Sequence, residues 1–167
     1  RVKAGDIVVR LDDTVTKASL AIITKGLNGL LARRARLLGE KEGLEVIILS
    51  GDKDMMQIVN DRIRMISTGK EEFVYGPQAV HEKFGVRPDQ IVDLLCLTGD
   101  ASDNIPGVPG VGVKTAAALI EQFGTIEKLY QNLDQVKGEK LRKNLEEYTD
   151  TVFSNRGLVV VKDDLDI

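Results

Sequence analysis

The feature that most constrains the fold is a short apolar run, Leu-Glu-Val-Ile-Ile-Leu, at positions 44–49. Apolar residues recur at helical spacing before it, over positions 16–42, and Gly43 is expected to end that helical stretch. A continuous apolar run beside a helix is typical of a parallel strand at the centre of a sheet. A β-branched run within positions 2–11 predicts an earlier strand. The sequence therefore predicts an α/β fold with a mostly parallel central sheet flanked by helices.

Two aspartates, Asp52 and Asp54, follow this predicted strand directly in the segment Ser-Gly-Asp-Lys-Asp. Open α/β sheets bind their ligands beyond the carboxyl ends of the strands, so both carboxylates lie where chemistry is expected. The same residues also suit a turn that caps a following helix at 55–59, and the spacing alone does not separate the two interpretations. Met55 and Met56 in that helix are interpreted as core residues.

A second pair of carboxylates, Asp100 and Asp103, lies near the start of a distinctive stretch at 97–118. Residues three positions apart share one face if the backbone is helical. Carboxylate oxygens are the ligands that hard divalent cations prefer. These two aspartates are therefore predicted to bind a divalent metal ion.

Three glycines follow in the same stretch, Gly107, Gly110 and Gly112, and a helix is predicted to begin at Lys114. Glycine tolerates positive φ and allows the backbone to approach a ligand closely, and the first amides of a helix attract anions. The stretch is therefore a candidate phosphate-binding loop.

Two nucleotide-binding motifs do not fit this loop. A Walker loop requires Lys directly after its last Gly, but Val113 intervenes. The dinucleotide fingerprint requires a third Gly at the position of Thr115. The remaining pattern is that of a helix-hairpin-helix, which binds a DNA phosphate strand through backbone amides; the alternative is an ordinary tight turn between helices. Together with the predicted metal ligands, the loop indicates nucleic acid.

The other segments are predicted to be short strands and helices. Extended segments are expected at 62–66 and 73–75, joined by a hairpin-like loop at 67–72 so that the second segment returns along the first. Helices are expected at 76–85, 91–97, 114–123, 126–132 and 139–156, the last ended by Gly157, before a strand-like tail at 158–162.

Composition narrows the functional classes. The 167 residues are 43% hydrophobic and 29% charged with a net charge of −3, which is ordinary for a globular protein and argues against wholesale coating of DNA. The longest apolar run is too short to cross a membrane. A single Cys96 excludes an internal disulfide and indicates a cytoplasmic protein, and a single His81 excludes a multi-histidine metal site. The chain begins at Arg1 without Met, which suggests a piece of a longer protein.

Contacts to nucleic acid would therefore come from local basic groups. The candidates are Arg33, Arg34 and Arg36; Lys114; and Lys137, Lys140, Arg142 and Lys143. Each group also fits an ordinary solvated helix face.

Three blocks of sequence resemble the 5′ nuclease family, which is flap endonuclease-like, and within it the 5′ to 3′ exonuclease domains of bacterial DNA polymerase I. They lie in the family's order and spacing at 44–59, 76–86 and 97–112 and include Ser-Gly-Asp-Lys-Asp-Met-Met, Gly-Pro-Gln-Ala-Val-His and Leu-Thr-Gly-Asp-Ala-Ser-Asp-Asn-Ile-Pro-Gly-Val-Pro-Gly. The resemblance covers residues 30–167 and implies an α/β sheet core followed by a helical DNA-binding region.

The resemblance implies a metal-dependent nuclease that cuts DNA near a 5′ end or flap in replication and repair. Asp52 and Asp54 resemble one carboxylate pair of the family's catalytic site, and Asp100 and Asp103 resemble the other. Together these carboxylates are expected to hold two Mg²⁺ or Mn²⁺ ions, which activate water and neutralise the scissile phosphate.

The candidate loop resembles the family's helix-three-turn-helix, which grips duplex DNA and binds a potassium ion through backbone carbonyls. The DNA-binding residues implied by the resemblance are Gly107, Val108, Gly110, Val111, Gly112, Lys114 and Thr115. The implied partners are DNA with a 5′ end or flap and a polymerase module that follows this chain.

The first thirty residues depart from the family's pattern. The Glu-Ala-Asp-Asp block and the basic helical arch are not found, and the corresponding positions 23–26 read Ile-Thr-Lys-Gly. Asp12 is the candidate for the family's first-strand aspartate and metal ligand, with Asp13 as the alternative. The alternative function is a DNA-binding derivative whose catalysis is weakened or lost.

The chain is expected to divide into three parts. These are an α/β nuclease core at 1–98 with an atypical 1–30, a helical helix-hairpin-helix region at 99–157, and a terminal strand or tail at 158–167.

Overall fold

A computed structural model describes residues 42–68 and 73–161, together with the single positions 34 and 39. The strand predicted at 2–11 lies outside the described residues, as do almost all of the helical stretch at 16–42 and the sequence departures before residue 30. Residues 34, 39 and 42 are helical, and Gly43 follows as a turn residue. The predicted end of the helical stretch at Gly43 is thus confirmed.

Three strands form a sheet in the order β1 (Val46–Leu49), β2 (Ile63–Ser67) and β3 (Phe73–Tyr75). β1 pairs with β2 in parallel, and β3 returns antiparallel to β2. The described sheet is therefore mixed, and the expectation of a mostly parallel one is wrong for this part of the chain. The extended return predicted at 73–75 is confirmed, because few residues separate β2 from β3, too few for the long crossover that a parallel pair needs.

β1 is covered on one face in the described structure. Ile48 is buried, whereas Ile47 and Leu49 are 58% and 70% exposed. The apolar run therefore forms the predicted strand, with alternate side chains on opposite faces of the sheet.

Six α-helices follow the sheet in the described part of the chain. They are α1 (Pro77–Phe84), α2 (Ile91–Thr98), α3 (Val113–Phe123), α4 (Ile126–Gln131), α5 (Glu139–Glu147) and α6 (Thr149–Val159). Short 3₁₀ helices lie at Lys53–Ile58, Pro88–Gln90 and Leu133–Gln135. The first of these replaces the α-helix predicted at 55–59, and Met55 and Met56 are buried in it as expected.

α2 is the central helix of the core. It buries Leu94, Leu95, Cys96 and Leu97, and it packs against α3, α6 and the 3₁₀ helix Lys53–Ile58. Burial raises the pKa of the Cys96 thiol to about 12, so this residue is an inert core group rather than a nucleophile. Because α2 is packed on several sides, it fixes the position of the segment that begins at Gly99.

A polar network fixes α2 against the later helices. The buried carboxylate of Asp93 accepts a hydrogen bond from the Ile126 amide at 3.3 Å and pairs with Arg156 at 3.4 Å. Arg156 also pairs with Glu127 on α4. Burial raises the pKa of Asp93, while the Ile126 amide and Arg156 oppose that rise, so the network offsets the cost of an internal carboxylate.

The last predicted helix is divided in two. α5 ends at Glu147, Tyr148 joins it to α6, and Gly157 lies within α6 instead of stopping it. Leu158 and Val159 are helical, so the strand-like tail is wrong for these residues. A glycine inside a helix costs about 1 kcal/mol, and burial of Val159 against the core outweighs it here.

None of the helices between residues 42 and 161 has the length and apolar character needed to cross a membrane.

Candidate metal centre and the adjoining glycine loop

Asp54 is held in the core by a tight turn after β1. The Asp52 amide donates to the Ser50 hydroxyl at 3.0 Å, and the Asp54 amide donates to Oδ1 of Asp52 at 3.0 Å. This cap starts the 3₁₀ helix Lys53–Ile58 and leaves Asp54 only 1% exposed. The predicted position of Asp52 and Asp54 directly beyond a strand end is therefore confirmed.

Asp100 follows the end of α2 directly after Gly99. Gly99 ends that helix with a φ of 68°, and the Asp100 backbone then pairs with Ile105 through hydrogen bonds of 2.9 and 2.8 Å. Residues 101–104 form the turn between these two. The helical backbone on which the shared face of Asp100 and Asp103 depended is thus absent from this segment, because a tight turn occupies it.

The turn nevertheless brings three carboxylates together. One oxygen from each of Asp54, Asp100 and Asp103 lies within 4.8 Å of the other two. Asp54 and Asp100 are buried at 1% and 3% exposure, and Asp103 is exposed. We refer to these three residues as the acidic cluster. Its oxygen donors and its opening to solvent fit a hard divalent cation.

Asp100 is ionised within this cluster. Its Oδ1 lies 2.9 Å from Nζ of Lys53 and accepts the Ser102 amide, also at 2.9 Å. Burial raises the pKa of Asp100, but the hydrogen bonds from Lys53 and Ser102 outweigh burial and hold the pKa below its ordinary value. The carboxylate is therefore available as an anionic ligand at neutral pH.

The other predicted ligands have different positions. Asp52 is half-buried and caps the turn that carries Asp54, and it does not belong to the acidic cluster. Its role as a metal ligand stays a prediction. Asp12 and Asp13 lie outside the described residues.

Residues 106–112, the glycine loop, follow the acidic cluster directly. Gly99 and Gly107 bring two backbone segments into contact: a Cβ on Gly107 would lie 2.0 Å from the Thr98 carbonyl oxygen, and one on Gly99 would lie 2.4 Å from the Gly107 nitrogen. Of the three glycines predicted to have positive φ, Gly110 does, with a φ of 80°, whereas Gly107 and Gly112 do not. The close approach at Gly107 is to the protein's own backbone.

The valines of the glycine loop face the core. Val108 and Val111 are buried, and the Val108 amide donates to the Leu97 carbonyl at 2.9 Å. Gly112 then begins α3 without a side-chain cap, and Val113 and Lys114 are exposed. Thr115 is half-buried. The exposed start of α3 is therefore the part of this segment most open to an external anion.

Two asparagines that the sequence analysis did not single out hold this loop. Asn155 is buried on α6, and its amide donates to the carbonyls of Cys96 at 3.2 Å and Pro106 at 2.6 Å. Asn144 on α5 donates to the Pro109 carbonyl at 2.8 Å. The available signal was an asparagine three residues after Val152, at apolar spacing on the helix predicted at 139–156.

The basic groups are distributed over the helical region. Lys114 is exposed at the start of α3, and Lys137, Lys140 and Lys143 are exposed on or near α5. Arg142 is half-buried and Arg34 is exposed, whereas the side chains of Arg33 and Arg36 lie outside the described residues.

Comparison with protein families gives two adjacent matches. Residues 29–85 match the 5′-3′ exonuclease N-terminal resolvase-like domain, and residues 86–167 match the 5′-3′ exonuclease C-terminal SAM fold. The DNA polymerase I of Bacillus subtilis is 46% identical over 143 residues, which are 83% of this chain and 16% of that protein. A 5′-3′ exonuclease of Buchnera aphidicola is 39% identical over 134 residues, 77% of this chain and 46% of that protein. The chain thus spans less than half the length of these relatives.

Two solved structures from bacteriophage T5 are also similar. A flap endonuclease in a pseudo-enzyme-product complex with DNA and metal ions matches with a TM-score of 0.72 at 25% identity, covering 81% of this chain and 49% of that one. A 5′-exonuclease with bound zinc matches with a TM-score of 0.70 at 27% identity, covering 79% of this chain and 48% of that one. Both sequence and fold therefore agree with the resemblance inferred from the three sequence blocks.

Proposed function

The chain belongs to the 5′-3′ exonuclease family, and from that premise we propose that it is a metal-dependent 5′ nuclease acting on DNA. The proposed reaction is hydrolysis of a phosphodiester bond near a 5′ end or flap. The observation that carries the proposal is the acidic cluster, in which Asp54, Asp100 and Asp103 place oxygen atoms within 4.8 Å of one another.

Asp54, Asp100 and Asp103 are the residues proposed to hold a divalent ion. The proposed ion is Mg²⁺ or Mn²⁺, because these ions prefer carboxylate oxygen and tolerate an open, partly hydrated site. When bound, such ions lower the pKa of water and neutralise charge on a phosphate. A second ion, with Asp52 beside the cluster as a further ligand, completes the proposed site.

The protein's own contribution is to position the carboxylates. The Asp52 cap orients the turn that carries Asp54, and the backbone pairing of Asp100 with Ile105 orients the second carboxylate. Asp103 lies on the exposed side, where a phosphate would approach from solvent. The arrangement needs neither the thiol of Cys96 nor the imidazole of His81.

The glycine loop and the start of α3 are proposed to bind the DNA backbone. Gly107, Gly110 and Gly112 shape the segment, Val108 and Val111 anchor it in the core, and the α3 amides with Lys114 and Thr115 would contact phosphate. A potassium ion bound by loop carbonyls belongs to the same proposal. The position of this segment directly after the acidic cluster supports its use in holding the DNA being cut.

The proposed macromolecular partners are DNA and, in the longer protein, a polymerase module. The first is supported by the DNA in the bacteriophage T5 flap endonuclease complex, and the second by the full-length DNA polymerase I relatives.

The proposed function is tested by cleavage of a 5′-labelled flap duplex in Mg²⁺ or Mn²⁺, with binding measured in parallel in Ca²⁺. Asp100→Asn is expected to lower the cleavage rate by at least about 100-fold while duplex binding persists, because it removes a charged metal ligand. Asp134→Asn, an equal charge change at an exposed position, is the matched control and should cleave like the parent chain.

Cleavage that survives Asp100→Asn would show that the acidic cluster is not the catalytic site. Binding by the parent chain without any cleavage would contradict the nuclease proposal and leave a DNA-holding domain.

A further inference from the structure

Lys53 places a cation on the acidic cluster. It precedes Asp54 in the 3₁₀ helix, and its Nζ lies 2.9 Å from Oδ1 of Asp100. The Lys53 side chain is 39% exposed, whereas that of Asp100 is only 3% exposed. The ammonium group therefore lies at the solvent side of a buried carboxylate, against an atom that also accepts the Ser102 amide.

Electrostatics give this contact a stabilising role in the metal-free protein. Asp54 and Asp100 are both buried, and Asp103 brings a third carboxylate to within 4.8 Å of them. Buried carboxylates at this separation repel one another and are costly to desolvate without a counter-charge. Among the ion pairs that the structure describes, Lys53 supplies that counter-charge to Asp100.

A divalent ion would bring a larger charge to the same oxygens. An ammonium group and a metal ion repel each other, and both would compete for the Asp100 carboxylate. Lys53 can leave, because lysine carries a point charge on a flexible four-carbon stem, and here the stem is partly exposed.

We propose that Lys53 is an exchangeable internal counter-ion, which pairs with Asp100 in the metal-free protein and is displaced into solvent when a divalent ion binds. The inference rests on the proposed metal site and adds a competing residue to it. Lys53 is in this sense a positioning residue. It stabilises the acidic cluster in the metal-free protein, and because it competes with the ion for Asp100, it weakens the apparent metal affinity.

Displacement is tested by lysine acetylation of the parent chain, read by mass spectrometry with and without saturating Mn²⁺ and in the absence of DNA. The reactivity of Lys53 is expected to rise when Mn²⁺ binds, because its ammonium loses the Asp100 partner. Lys128, exposed on α4, is the internal control, and its reactivity should not change.

Competition is tested by calorimetric titration of Mn²⁺ into the parent chain and into Lys53→Gln. The variant is expected to bind Mn²⁺ about two- to fivefold more tightly, the range that follows from losing a partly exposed ion pair. Lys128→Gln removes the same charge outside the cluster and should bind like the parent chain. The metal-free Lys53→Gln protein is expected to unfold at a lower temperature and to gain more from Mn²⁺.

The labelling result decides the proposal. If Mn²⁺ binds while Lys53 reactivity stays the same, the exchange is wrong and the metal site stands, even if Lys53→Gln has a higher affinity through simple repulsion. If Mn²⁺ binds to none of the proteins, the proposed metal site is wrong and the exchange fails with it.

Discussion

The acidic cluster and the glycine loop are neighbours in the chain, but they are built in opposite ways. The cluster joins side chains from two distant segments, the turn after β1 and the turn after α2. The loop is one continuous segment whose backbone packs against other backbone and accepts hydrogen bonds from Asn144 and Asn155. Substitutions in the cluster should therefore change chemistry more than stability, whereas substitutions in the loop should do the reverse.

The largest effect on stability is expected from Gly107→Ala. The new methyl group would lie 2.0 Å from the Thr98 carbonyl oxygen, so the backbone must move. We expect a loss of more than about 3 kcal/mol in the free energy of unfolding, measured in urea. Gly112→Ala is the matched control, because its Cβ meets nothing within 4 Å, and it should cost less than about 1 kcal/mol. Equal stability of the two variants would contradict the tight backbone contact.

Asn155→Ala should have the next largest effect. It removes the amide donor from the carbonyls of Cys96 and Pro106 at a buried position. A loss of about 2–3 kcal/mol is expected in the same urea experiment, because buried acceptors lose their donor. Asn144→Ala removes one bond at an exposed site and should cost about 1 kcal/mol or less. If Asn144→Ala proves the more damaging, α6 is not the main support of the loop.

Gly110→Ala tests whether the glycine loop requires a left-handed backbone at this position. The position has a φ of 80°, and the nearest atom to a new Cβ is the Asn144 amide nitrogen at 3.9 Å. The cost is therefore conformational rather than steric, about 1 kcal/mol. An unfolding midpoint identical to that of the parent chain would show that the left-handed backbone is not required there.

The smallest effect is expected from the pH dependence of the cluster. The pKa of Asp100 in the folded chain lies below its ordinary value of 3.8, so its ionisation stabilises the fold above that pH. This stabilisation is lost as the pH falls through the folded-state pKa. In metal-free buffer, Asp100→Asn should flatten the decline in unfolding free energy below about pH 4. An unchanged slope in Asp100→Asn would contradict the Lys53 and Ser102 contacts.

Local patterns predicted most elements of the described fold. The apolar run before Asp52 predicted β1, and the proline and glycine around 76–85 predicted α1. The predicted helix end at Gly157 was wrong. The roughly 1 kcal/mol that a glycine costs inside a helix is smaller than the free energy gained by burying Val159. The antiparallel return of β3 was predicted from the hairpin-like loop before it, because a short connection cannot make the crossover that a parallel pair needs.

The sequence by itself determined which residues are available for chemistry: carboxylates directly beyond a strand end and a helix end, then glycines before an exposed helix start. The types and spacing of these residues can be read directly from the sequence, and their local chemistry indicates what they can do. Of the four carboxylates that the resemblance grouped into one site, the tertiary structure decided that Asp54, Asp100 and Asp103 meet, whereas the Asp52 cap is a local contact that the sequence already offered as an alternative. The tertiary structure also decided that Gly107 serves backbone packing and that Lys53 reaches Asp100. These outcomes depend on the packing of α2 against the turn after β1, and contacts between distant segments leave no period in the sequence.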